Sequence, residues 1–582
     1  MKRSPIHFLL SFMLLASLSL GCRKMEQNSS GGSSGSVEPD NTPKPGLYVL
    51  PLMQTTDIHG HVVEISGSAT CYRMAYVGYM VNDIRSRTGQ NDKDRMLLLD
   101  GGDQYQGSSV SNLLSGWPVY VSMDQLGYDA VALGNHEFDW GLEDIVDADA
   151  TLPDYDWNGK HYVNQVPVLC ANLYRNGSRV PYTKDYVIVE KTAVHQAVSS
   201  TVKVKIGIVG FAINYESSIM PAQFSGKGYS IRENYEAANE IAARLESSGQ
   251  CDATILLIHG AADAAAEKLG QNTVFDLVLG GHSHASLKGK TSWGLPYLQG
   301  GRYCEHAAYI PLQFTLDKKG NLSFTDVGDS KLFIVDDSRD QLERYTDPVI
   351  RAVSKEAVNR VSHVLNDVIG YIDTDASQYS IAGSGNRATP MANWMCDITR
   401  QIGEADVAFV NSGGIRTTFM LNGSSTRNIT VADVYDMFPF GNEVYVYSLS
   451  YEDMLEVFRY ALTSAGSSLF SRMTGMDCYY TSNYAVQKLV KDGSVIYSNG
   501  SWTGDWASRK LKLAVGSYLA TSERFDDYTH MGNPLLNWNK SARLISNELV
   551  DNENAVLVLK AEAATSGGRL AIDTKPHFIL AD

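Results

Sequence analysis

Seven side chains of metal-binding type close short apolar runs. Asp57 and His59 stand in Thr55-Thr56-Asp57-Ile58-His59-Gly60-His61, Asp103 in Asp100-Gly101-Gly102-Asp103, and Asn135 in Leu133-Gly134-Asn135-His136-Glu137-Phe138-Asp139. His259 precedes Gly260, and His282 and His284 lie in Gly280-Gly281-His282-Ser283-His284. Carboxylate, amide and imidazole donors together suit a divalent ion, zinc or manganese first and iron after them, and the absence of cysteine from the set argues against a structural zinc site. Seven donors exceed what one ion needs, so two ions are expected. Asp103 is the natural bridge, because one carboxylate can offer an oxygen to each metal of a pair roughly 3.5–4 Å apart. Any one histidine alone would more readily be a packed or capping residue; the set is not explained that way. His61 reads as a supporting or structural group.

The elements that must carry these groups are strands ending in loops. Apolar runs at 47–53, 96–99, 130–133, 205–211, 253–258 and 275–279 read as strands, with helical patterns around 74–85 and 235–245. Pro51 suggests an edge or bulge position for the first. Near-continuous apolar strands alternating with helices imply sheets covered on both sides, an α/β layered core whose ligand crevice lies at the carboxyl ends of the strands. Short alternating strands follow at 312–335, and 347–365 reads as an amphipathic connecting helix, a candidate hinge. The second body carries helices at 391–402 and 451–462. It also has a strand at 407–410 running into Asn411-Ser412-Gly413-Gly414-Ile415-Arg416.

The 582 residues suit two large domains, and 44% hydrophobic with 20% charged residues is an ordinary globular balance. The net charge of −16 disfavours a nucleic-acid polymer as partner, whereas a small anionic substrate remains compatible with a local metal cluster. Lys2-Arg3 before the apolar stretch 6–20 reads as a secretory signal, too short to span a membrane. Gly21-Cys22 resembles a lipoprotein cleavage site, with Ser19 departing from the usual aliphatic residue; a plain cleaved signal is the alternative. The expected organisation is a signal peptide at 1–21, a Ser/Gly-rich tether at 22–45 and a catalytic domain at 46–340. A linker helix at 341–365 and a second domain at 366–582 complete it. Cys71, Cys170, Cys251, Cys304, Cys396 and Cys478 show no C-x-x-C spacing and read as core thiols without disulfides.

In this order, D-x-H, G-G-D, G-N-H-E and G-H-x-H resemble the signature of the calcineurin-like metallophosphoesterases. The continuation H-E-F-D and the large second body resemble the 5'-nucleotidase family, which includes UDP-sugar hydrolases, cell-surface nucleotidases and cyclic-nucleotide phosphodiesterases. The resemblance implies a four-layer αββα metallophosphoesterase domain with a second α/β substrate-binding domain. It implies one ion at Asp57, His59 and His284 and another at Asn135, His259 and His282, with Asp103 shared; relatives often carry Gln or Asn at the position of His284. His136 and Asp139 would form a dyad facing the phosphoryl group and leaving oxygen, although Asp139 could also cap a helix starting near Trp140. In the second domain Arg387, six positions before Asn393, resembles a phosphate-binding arginine, and Asn411 with Arg416 matches an N-x-G-G-x-R turn. Phe440, in Phe438-Pro439-Phe440-Gly441-Asn442, and Tyr518 would hold a base between two rings.

The G-G-D-G normally found after that aromatic is missing; Asp526 and Asp527 are the nearest candidates for its sugar-binding aspartate. The implied activity is release of phosphate from nucleotides by direct attack of metal-bound hydroxide, without a phosphoenzyme. A 2',3'-cyclic-nucleotide phosphodiesterase with 3'-nucleotidase action, or a UDP-sugar hydrolase, is the alternative; a non-catalytic nucleoside-binding lipoprotein is a further one. No obligate protein partner is expected. The location would be the periplasm or cell surface of a bacterial envelope, with Cys22 as membrane anchor.

Overall fold

A strand without polar alternation must be covered on both faces, and Leu97–Asp100, Ala130–Ala132 and Ala253–His259 are buried at every residue. The structure is a computed structural model. It describes residues 42–66, 69–88, 92–143, 156–157, 160–161, 165–214, 224–334, 342–378, 381–383, 386–463, 469, 472–521 and 544–581. The expected signal peptide, Cys22 and most of the tether lie outside them, as do Asp526 and Asp527. Among the described residues no helix is long and apolar enough to cross a membrane.

The first body is a 13-stranded mixed sheet in two halves. Gly46–Thr55, Leu97–Asp100, Ala130–Ala132 and Val168–Leu169 run parallel in one half. Thr201–Ala212, Ala253–His259, Leu277–Leu279 and Pro296–Gly300 run parallel in the other. The antiparallel strand Tyr186–His195 joins them. Alternate residues of both halves, among them Leu50, Leu99, Ala132, Ile208 and Leu257, share one inner core. At Gly210 an added Cβ would lie 2.2 Å from the Leu169 Cβ, so the faces meet without room for a side chain there. The outer faces carry helices: Arg73–Arg87 and Trp117–Leu126 over Met53, Leu98 and Val131, and Tyr235–Ser247 and Ala262–Leu269 over Phe211, Leu256 and Val278. The result is the expected αββα layering.

Pro51 departs from expectation, because it lies in the interior of this sheet and not at an edge. It pairs with Pro311 of His306–Leu316, and two prolines facing each other cannot exchange N–H bonds. On the opposite side it falls between the last residue paired with Tyr186–His195, Val49, and the first paired with Leu97–Asp100, Leu52. The missing donor therefore interrupts no ladder.

The connecting helix Pro348–Leu365 starts with Pro after Asp347, whose carboxylate accepts from the N–H groups of Val349 and Ile350. Ile350, Val353, Ala357, Val361 and Leu365 form its buried stripe, and it packs on Arg73–Arg87 and Trp117–Leu126. Arg360 adds its guanidinium 4.2 Å above Trp117. The helix is thus docked on the first body, and it also touches Val431–Met437 of the second.

The second body has a five-stranded sheet, in the order Met473–Thr474, Val407–Phe409, Lys510–Gly516, Glu443–Ser450, Leu544–Val550, and a separate seven-stranded sheet. Helix Pro390–Ile402 starts one residue before its expected place, and Tyr451–Ala461 is held by a capping box between Ser450 and Asp453. The six cysteines are buried thiols.

Near the carboxyl end, His577 is clamped between Asp477, 2.8 Å from Nδ1, and Asp573, 3.2 Å from Nε2. Burial alone would lower its pKa, but the hydrogen bonds and charges of the two carboxylates push it up to about 9. The folded state therefore holds this proton more tightly than the unfolded chain. The contribution is complete below the ordinary histidine value of about 6.5 and is lost as pH rises through about 9. His577→Gln should destabilise the full chain by about 2 kcal/mol in urea unfolding at pH 6, and by much less at pH 9.5. An equal loss at both pH values would contradict the clamp.

Candidate active site

Every expected metal ligand lies at or just past the carboxyl end of a strand in the parallel runs. Gly46–Thr55 leads to Asp57 and His59, Leu97–Asp100 to Asp103, and Ala130–Ala132 to Asn135. Ala253–His259 ends on His259, and Leu277–Leu279 leads to His282 and His284. Beyond the strands, the first two loops stay zipped together: Asp57 N–H donates to Gly102 O, His59 N–H to Asp103 O and Gly60 N–H to Gln104 O, each at 2.9 Å. Asp57, His59, Asp103, His282 and His284 all have left-handed backbone, with φ of 50°, 48°, 57°, 69° and 58°. Each such residue costs about 1–3 kcal/mol unless its surroundings impose it, and clusters of them mark functional sites.

The side chains converge. His259 Nε2 lies 3.2 Å and His59 Nε2 3.6 Å from the same Asp103 oxygen, Oδ2. His284 Nε2 is 3.2 Å from His59 Nε2 and 3.5 Å from Asp57 Oδ1. Asn135 Oδ1 is 3.1 Å from His259 Nε2 and 2.9 Å from His282 Nδ1. Neighbouring corners of a coordination shell with bonds of about 2.1 Å are about 3.0–3.4 Å apart, which these separations approximate. The far ring nitrogens are committed: Nδ1 of His59 faces Gln106 O at 2.9 Å and Nδ1 of His259 faces Gly101 O at 2.7 Å. That fixes the tautomer in which Nε2 offers its lone pair inward.

Lone pairs so close to a buried carboxylate need protons or cations between them. Without cations, burial raises Asp57 to about 8, and Asp103 overrides burial to lift His259 to about 10. Burial pushes His59 well down, His282 to about 4 and His284 to about 3. Asp103 itself, although buried, is held well below the usual carboxylate range by His259, His136 and His59. A buried carboxylate among imidazoles, with His259 held protonated when no cation is present, is a donor set that fits divalent ions.

Beside this cluster, His136 Nδ1 is 2.7 Å from Asp139 Oδ2, and the His136 N–H donates to Asp103 Oδ1 at 2.9 Å. Burial would lower His136, but Asp139 and Asp103 raise its pKa. Asp139 ends the short helical turn His136–Phe138 with its carboxylate turned back to the imidazole, so capping of a later helix is not its observed contact. The second body closes over the pair: Phe440 lies flat on His136, centroids 5.3 Å apart and planes at 26°, and the Arg416 guanidinium is 5.2 Å from the Phe440 ring. Arg416 also donates to Tyr303 Oη at 3.2 Å and to Gly413 O at 2.6 Å. Asn411, Arg416, Phe440 and Tyr518 line the same cleft as Asp103, His136 and His284. Of the expected substrate residues only Arg387 is left without a described side chain; its backbone is in the strand Asn386–Ala388. Asn393 turns elsewhere, its Nδ2 donating to Asp573 O and Lys575 O.

A family model of the 5'-nucleotidase C-terminal domain matches residues 368–502. The chain is similar to members of the 5'-nucleotidase family. It is 27% identical over 464 residues to a 5'-nucleotidase of Diplobatis ommata, covering 72% of this chain and 70% of that one. It is 24% identical over 503 residues to the trifunctional nucleotide phosphoesterase protein YfkN of Bacillus subtilis, covering 82% of this chain but 32% of that protein. The chain thus spans about a third of that relative's length. Among solved structures, the 5'-nucleotidase precursor of Thermus thermophilus has the same fold, with a TM-score of 0.63 at 18% identity over 92% of this chain and 99% of that one.

Several residues of this site were not singled out from sequence. The buried Glu137 carboxylate accepts from the N–H groups of Asp103 (3.1 Å), Gln104 (2.8 Å) and Gly134 (2.8 Å), binding two ligand loops together. Thr56 Oγ1 donates to Asp57 Oδ2 at 2.6 Å. Tyr303, itself left-handed at φ 56°, sets its ring edge-on to His59 and His284. Glu137 stands inside the H-E-F-D motif, which was its one sequence signal; Tyr303 sits in no motif. Glu137→Gln replaces an acceptor-only group by one that presents N–H to N–H, and should lower metal affinity about 10- to 100-fold while the chain stays folded. Metal titration followed by circular dichroism checks this, and unchanged affinity would contradict it.

Proposed function

We propose that the chain is an exported phosphohydrolase that releases phosphate from nucleotides, with catalytic groups on residues 46–340 and substrate-binding groups on 366–582. The observation that carries the reading is the shared cleft, where an acceptor cluster suited to two cations meets Arg416, Phe440 and Tyr518. Asp57, His59 and His284 would hold one zinc or manganese ion, Asn135, His259 and His282 the other, and Asp103 both. Such ions supply a water of pKa about 7 and polarise phosphoryl oxygens.

The remaining work belongs to side chains. Asp139 keeps the His136 imidazole protonated and orients it, so that its other nitrogen can donate to the phosphoryl or leaving oxygen as charge grows there. Arg416 and Arg387 offer planar forks to phosphate oxygens, and Asn411 lines the approach. Phe440 and Tyr518 present flat faces to a base. Lipid anchoring through Cys22 and export rest on the leader sequence, and the relatives include a cell wall protein of Listeria monocytogenes. Hydrolysis of cyclic or 3'-nucleotides is a second reading, and one relative is a trifunctional nucleotide phosphoesterase.

His136→Ala should lower kcat by about 10²- to 10⁴-fold with little change in KM, and Asp139→Asn should lose less. Arg416→Lys should lower kcat/KM by about tenfold, mainly through KM. Phosphate release from 5'-monophosphates, 3'-monophosphates, 2',3'-cyclic nucleotides and UDP-glucose, measured on wild type and variants, checks both. Full activity in His136→Ala would remove the dyad from the mechanism, and no release from any of them would remove the function.

A further inference from the structure

A second, smaller cavity adjoins the cleft and is lined by Phe440 and Tyr518 together with Asn442 and Asp551. Its other walls are mostly apolar, including Val410, Phe438 and Leu519. Asp551 is only 5% exposed, at the start of helix Asp551–Ser566. Its Oδ2 accepts from Asn442 Nδ2 at 3.3 Å and its Oδ1 from the N–H of Asn552 at 2.7 Å. Ser517 Oγ donates to Asn442 Oδ1 at 3.1 Å, which holds the amide in the orientation that turns its NH₂ toward the carboxylate. Among the described residues no cationic side chain forms an ion pair with Asp551. Burial raises its pKa to about 7 against the hydrogen bond from Asn442.

A buried carboxylate without a cation is costly, and two oxygens can together accept about four hydrogen bonds. What would satisfy this one is a flat group entering between the two rings with adjacent N–H donors on its leading edge. Guanine offers N1–H beside the 2-amino group, hypoxanthine offers N1–H alone, and adenine turns a lone pair at N1 toward the same oxygens. A slot with apolar walls and an acceptor-only end therefore separates the purines by repulsion as well as attraction.

We propose that Asp551 is the base-reading residue of the substrate cleft and selects guanine nucleotides over adenine nucleotides, with hypoxanthine between them. This rests on the nucleotidase reading above for the phosphate, but the base preference can be measured apart from it. At pH 8.5, where the carboxylate is ionised, wild type should bind guanosine about 10- to 100-fold more tightly than adenosine by calorimetry, and kcat/KM for GMP over AMP should follow the same ratio. N1-methylation of guanosine should remove the advantage, a comparison that needs no variant. Asp551→Asn should bring the guanosine-to-adenosine ratio below about threefold. Guanosine binding without phosphate release would sink the hydrolytic reading and leave this one standing. Phosphate release with equal affinity for both nucleosides, or no nucleoside binding, would overturn the assignment of Asp551.

Discussion

A buried carboxylate surrounded by inward-facing imidazole nitrogens is the constraint that organises this protein. Asp103 stands between His59 and His259, whose outer nitrogens are tied to backbone carbonyls, so neither ring can turn away. The strain of five left-handed candidate-ligand residues is held by the strand ends, by the zipped loops and by Glu137. Glycine is required at the closest approaches: at Gly134 a Cβ would lie 2.2 Å from Asp103 Oδ1, and at Gly102 2.3 Å from His259 Nδ1. Such a cluster is unfavourable without positive charge, and two divalent ions are the simplest source of it.

The second body contributes what the cluster cannot. Its Pro439 carbonyl accepts from Gln106 Nε2 at 2.7 Å and Asn112 Nδ2 at 2.6 Å, tying the aromatic loop to the loop that orients His59. Through this contact Phe440 reaches His136 and Arg416 reaches Tyr303. Groups proposed to choose the substrate are therefore braced against groups proposed to transform it. The two bodies also share one buried apolar cluster, which includes Val77 and Trp117 of the first and Trp394 and Val434 of the second.

Much of this was legible in the sequence because the chemistry sits where hydrophobic periodicity stops. Each of the seven candidate ligands ends an apolar run, and apolar runs become buried parallel strands with their carboxyl ends on one side. The layered fold followed from the same runs. Pro51 was misread because sequence shows a missing donor but not the change of neighbouring strand that makes the loss harmless. Tyr303 was missed because its role comes from a turn that only the folded chain brings beside His59. Asp551 was missed because a carboxylate in the first turn of a helix looks like an ordinary dipole partner until the cavity in front of it is seen. The sugar-binding aspartate was not found because the usual glycine-rich signal is absent, and the candidates lie outside the described residues.

The central claim is that Asp103 is shared by two cations. Anomalous X-ray scattering from crystals of the chain loaded with manganese tests it most directly. The account predicts two peaks about 3.5–4 Å apart, one bounded by Asp57, His59 and His284 and the other by Asn135, His259 and His282, with Asp103 between them. A single peak, or two peaks of which only one touches Asp103, would contradict it.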